Sequence, residues 1–156
     1  MDDYRVPKVP AKVTVAIPPD PPEARTVFLS STAETHRGRE TLSDLLVRKR
    51  FLPMLKEGND IILARSQSIR WLLIEKPREA EWHFYETVPG APKHHVQFVF
   101  PDGEMLSGAI FAVGRESEQR ALDVLNASES FLHLEGSDGL YLVNLNHVTR
   151  INLLEK

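Results

Sequence analysis

A chain that repeats itself can fold only as its repeated piece folds, and this chain carries a repeat. Residues 27–38 lie over residues 97–108 without a gap, and Phe28, Glu34 and Gly38 meet identical partners in Phe98, Glu104 and Gly108. Further along, Asp44-Leu45-Leu46 matches Asp123-Val124-Leu125, and Phe51-Leu52 matches Phe131-Leu132. Ile61-Ile62-Leu63-Ala64 then matches Leu140-Tyr141-Leu142-Val143, and Ile69 matches Val148. The offset grows from 70 to 79–80 on the way, so this alignment gives the second copy about nine extra residues near Gly114–Leu122. An ordered series of such matches is the mark of an internal duplication. It divides the 156 residues into two very small domains, near the lower limit of what one core can stabilise.

Each copy reads as short strands. In the second, Val96–Phe100 is an apolar run, followed by Pro101-Asp102-Gly103-Glu104, a turn with glycine where φ can be positive. Residues 105–113 form a second strand, bulged or sharply bent at Gly108. Strands follow at 131–134, 140–145 and 148–154, and Ala121, Leu122 and Leu125 sit at helical spacing within 116–126. The first copy repeats the plan at 26–31, 38–41, 50–54, 61–64 and 69–74. Strands this short and bent favour a rolled sheet, since closure removes exposed edges. The expected architecture is all-β: two tandem Sm-like small rolled sheets or barrels with one short helical turn inserted.

The flanks have their own character. Six of the eleven prolines precede residue 26, which predicts an extended proline-rich leader over 1–25. Within it, Val13, Val15 and Ile17 share one face if extended, as in a strand that pairs with a sheet edge of this molecule or a partner. The first repeat is then 26–76 and the second 96–156. Residues 77–95 form a linker whose Trp82-His83-Phe84-Tyr85 is aromatic enough to cover one copy or the seam between them.

Leu42-Ser43-Asp44-Leu45-Leu46 followed by Phe51-Leu52-Pro53-Met54 resembles a bacterial small-β-domain family with a Leu-Ser-Asp-aromatic-Leu-Asn … Phe-Leu-Pro-Leu signature. The second copy resembles it through Asp123-Val124-Leu125-Asn126, Phe131-Leu132-His133-Leu134 and residues 143–148. Val47 stands where that family has Asn, and His133 where it has Pro. The resemblance implies a fold and a bacterial origin, not a chemistry. Asp102-Gly103, Gly108, Asp123 and Asn126 are also similar to the Sm-like pattern, which would imply RNA contact. Asn144-Leu145-Asn146 stands where the Sm closing Arg-Gly belongs. Asn126-Ala127-Ser128 is similar to the cyclic-dinucleotide loop of PilZ barrels, but Phe131 occupies the glycine position.

The chemistry-bearing residues are few. No cysteine is present, which removes disulfides, thiolate metal sites and a cysteine nucleophile, and suits a reducing compartment. No phosphate loop or zinc-helix motif occurs, and His94 and His95, adjacent on an extended chain, point to opposite faces. The repeated acids Asp44/Asp123 and Glu34/Glu104 fit local capping better than acid–base work. No cofactor or metal is expected, and the chain is read as non-enzymatic.

Charge separates the copies. Residues 26–76 hold nine Lys and Arg against six Asp and Glu, whereas residues 96–156 hold four against nine. The basic excess centres on Arg48-Lys49-Arg50, with Arg37 and Arg39 nearby in sequence, as a candidate partner- or phosphate-binding site. These features lead to a cytoplasmic bacterial adaptor that binds another protein through a sheet edge, the leader strand or the basic loop. The alternative is a small barrel binding nucleic acid or a nucleotide, disfavoured by the net charge of −3. No membrane partner is expected, and self-association is left open.

Overall fold

Among the described residues, the β-rich alternation of the sequence becomes ten antiparallel strands and two short helices. A computed structural model describes residues 8–30, 42–58, 60–75, 93–112, 120–128 and 130–154. They fall into two units, Met1–Leu72 and Leu73–Lys156. The first contains β1 (Lys8–Ala16), β2 (Glu23–Ser30), α1 (Leu42–Arg48), β3 (Phe51–Leu55) and β4 (Ile61–Arg65). After a 3-10 turn at Ser66–Ser68, β5 (Trp71–Ile74) carries the chain across the boundary. The second contains β6 (Lys93–Val99), β7 (Met105–Phe111), α2 (Ala121–Ala127), β8 (Phe131–Glu135) and β9 (Leu140–Asn144). A second 3-10 turn, Leu145–His147, leads into β10 (Arg150–Leu153).

Both units place their strands in the same order, fifth-first-second-third-fourth: β5-β1-β2-β3-β4 and β10-β6-β7-β8-β9. Each opens with a long hairpin, Lys8↔Ser30 through Val15↔Glu23 and Lys93↔Phe111 through Val99↔Met105. Each then bends so sharply that its second and third strands meet at one pair, Thr26↔Leu55 or Ala109↔Glu135. Single hydrogen bonds recur as well. Arg70 N donates to Ala16 O at 2.8 Å, as Thr149 N does to Val99 O at 2.8 Å. Ser66 N donates to Arg50 O at 2.9 Å, and Leu145 N to Ser130 O at 2.7 Å.

These equivalences correct the sequence reading in three places. The first strand of the first unit is Lys8–Ala16, inside the stretch expected to be a leader, and residues 26–30 belong to its second strand. Val13 and Val15 therefore correspond to Val96 and Phe98, and Val27 to Ile110, each 83 residues on. By hairpin register residues 27–29 thus lie over 110–112, and not over 97–99 as the offset of 70 has them. Second, a helix stands between the second and third strands of both units, not the second alone. Third, neither sheet closes: β4 is not bonded to β5, nor β9 to β10. The strand expected at 38–41 and the aromatic segment 82–85 lie outside the described residues, and the expected linker ends at Lys93, where β6 begins.

The core follows from strand alternation. In the first unit Val13, Val15, Val27, Leu29, Leu52 and Met54 are buried on their strands, as are Leu42, Leu45 and Leu46 of α1. In the second, Val96, Phe98, Ile110, Leu134, Leu140 and Leu142 are each fully buried. The expected turn at 101–104 is present, with Gly103 at φ +90° and Asp102 Oδ1 accepting from Glu104 N at 3.1 Å. Gly108 pairs with Val96 in an unbroken β6–β7 ladder, without the expected bulge, and a Cβ there would sit 2.4 Å from the carbonyl oxygen of Glu135.

Candidate functional site

The basic stretch singled out by charge divides between two elements. Arg48 closes α1, where a cation complements the exposed carbonyls of the last turn. Lys49 N donates to Leu45 O at 3.0 Å, and the Lys49 side chain is exposed. Arg50 stands just before β3, with its guanidinium 6.0 Å from the Phe51 ring centre and its carbonyl accepting from Ser66. Arg37 and Arg39 lie outside the described residues, so the structure brings together only 48–50 of the five.

Beside that stretch is a feature sequence reasoning missed. β3 and β4 pair in the register Phe51↔Arg65, Pro53↔Leu63 and Leu55↔Ile61, which puts these six side chains on one face. The opposite face buries Leu52, Met54 and Ala64. The outward face is apolar and open: Phe51 is 49% exposed, Ile61 68% and Leu63 70%. In addition, among the described residues β4 is hydrogen-bonded on one side only, to β3. An edge of this kind leaves backbone donors and acceptors ready for a further strand. Arg50 and Arg65 give it a basic end, and both are exposed.

The corresponding positions of the second unit differ. Leu140 and Leu142, counterparts of Ile61 and Leu63, are fully buried, and β9 is buried along its whole length. The uncovered strand there is the fifth, β10, bonded among the described residues only to β6. Leu153 is 59% exposed on β10, and Leu122 is 60% exposed on α2. Leu122, Leu125, Val148, Ile151 and Leu153 line a cleft of about 390 Å³. On β5 the counterparts of Ile151 and Leu153 are Leu72 and Ile74, at 0% and 5% exposure. Each unit thus leaves uncovered what the other covers.

Of the repeated acids, the structure describes the side chains of Asp123 and Glu104. Asp123 pairs with Arg120, accepting at 2.9 and 3.2 Å, and this guanidinium holds its carboxyl below the usual range. Glu34 and the side chain of Asp44 lie outside the described residues. Burial pushes the Tyr141 phenol up, and the nearby Asp138 carboxylate adds to the shift. His94 and His95 lie within β6, half-buried and exposed respectively. Among the described residues no group of three or more His, Asp or Glu gathers as a metal requires, and no helix is long and apolar enough to cross a membrane. Comparison with family models, curated proteins and solved structures finds no match to this chain.

Proposed function

We propose that this protein is a non-catalytic protein-interaction module, an adaptor of the bacterial cytoplasm, which takes an extended segment of a partner on the β4 edge. The observation that carries this reading is the pairing of an open backbone edge with apolar side chains, Ile61 and Leu63, at 68% and 70% exposure. Strand addition draws affinity from main-chain hydrogen bonds and specificity from alternate side chains. Phe51, Pro53, Ile61 and Leu63 supply the apolar contacts. Arg50 and Arg65 select an acidic residue at one end of the segment. The same reading takes the two units as duplicates of one Sm-like rolled sheet. Their shared strand order and recurring hydrogen bonds support that origin.

Peptides selected from a displayed library on the full chain test the proposal. Enriched peptides are expected to alternate apolar residues beside an acidic one. Ile61→Lys with Leu63→Lys is expected to weaken them at least about tenfold, near 1.4 kcal/mol. Equal binding to the double variant overturns the reading. So does steeply salt-dependent binding of RNA or a cyclic dinucleotide that depends on Arg48–Arg50 alone.

A further inference from the structure

Resting on that reading, we infer that the β4 edge of one copy takes the β10 edge of a second copy of this chain. Both strands are bonded on one side only, and each carries apolar side chains that are covered at the equivalent place in the other unit. A chain that exposes its fourth strand in one unit and its fifth in the other offers two different edges in equal number. The cleft beside β10, lined by Leu122, Leu125, Ile151 and Leu153, provides apolar surface for Ile61 and Leu63 of the incoming strand.

The net charge of the units, and not that of the two strands, which carry Arg65 and Arg150, separates the ways two copies can meet. Residues 1–72 hold twelve Lys and Arg against nine Asp and Glu, a net of +3. Residues 73–156 hold seven against thirteen, a net of −6. Pairing β4 with β4, or β10 with β10, sets like charges together. Pairing β4 with β10 sets a basic unit against an acidic one, which favours encounter in that orientation. The contact is therefore heterologous, and it continues into rings or filaments instead of stopping at a two-fold dimer.

Sedimentation velocity on the full chain, from micromolar to millimolar concentration, tests this. The wild-type mass is expected to rise above the 17.7 kDa of one chain, and added salt is expected to reverse the rise. Leu63→Lys and Leu153→Lys, both at exposed positions, are each expected to remain monomeric. Mixed in equal amounts, they are expected to form a species of twice the monomer mass and nothing larger. Each retains the edge the other has lost, so this rescue also shows that both variants are folded. A wild-type mass independent of concentration overturns the inference. Association abolished by Leu63→Lys, untouched by Leu153→Lys and not rescued by mixing also overturns it, and assigns β4 to itself. A monomeric wild type that still binds the selected peptides on β4 sinks the self-pairing alone. A monomer that binds none sinks both readings.

Discussion

Phe98→Ala is expected to cost about 3–5 kcal/mol, the largest loss of any single truncation in the second unit. Phe98 is fully buried in β6, bonded between β7 and β10, opposite Leu106 on one side and Ile151 on the other. Truncation removes the apolar transfer energy of the ring and leaves a cavity between strands whose backbone ladders prevent collapse. A domain of this size has a total stability of about 5–15 kcal/mol, so the variant stands near the threshold of folding. Urea unfolding of wild type and variant measures the difference. A loss below about 1 kcal/mol would show that Phe98 does not sit at the centre of that core.

Gly108→Val is expected to lose about 3 kcal/mol by a different route. A Cβ at residue 108 would lie 2.4 Å from the Glu135 carbonyl oxygen and 2.9 Å from Leu134 Cγ. The first of these is backbone, so the neighbour cannot rotate away. β7 and β8 meet at the single pair Ala109↔Glu135, immediately beside this point. Added bulk forces the strands apart where the sheet turns from its first hairpin to its second. The neighbouring Ser107→Val, on the exposed face, serves as the control and is expected to change stability little. Equal unfolding midpoints for the two variants would contradict the close approach.

Both positions show what the chain made legible. The turn at Pro101–Glu104 and the later strands of each unit follow from local rules: glycine in tight turns and apolar alternation in short runs. The first strand did so in part: Val13, Val15 and Ile17 on one face predict a strand that pairs with a sheet edge, as β1 does with β2, but not that this strand opens the first unit with Val13 and Val15 in its core. The offset between the copies was misread for a related reason. The units keep burial and not identity: Val15 answers Phe98, and Leu29 answers Ala112. Identities such as Phe28 with Phe98 carry less information, because Phe28 is 39% exposed and Phe98 is fully buried.

The candidate site was legible only in part. Arg48–Arg50 stands out by composition, while the apolar face next to it does not. Ile61-Ile62-Leu63-Ala64 reads from sequence as a short apolar strand, and its counterpart Leu140–Val143 is buried throughout. Whether such a run is covered depends on which strand lies beside it, and a single chain's periodicity does not encode that. The structure supplies the missing fact, an edge that nothing among the described residues pairs.

Amide hydrogen exchange at residue resolution, with and without a selected peptide, tests the docking surface most directly. In the free protein, the amides of Ile61–Arg65 that point away from β3 are expected to exchange rapidly, as on any open edge. With peptide bound they are expected to become protected, together with slower exchange across β3. Protection confined to residues 48–50, or to strands other than β3 and β4, would contradict the account.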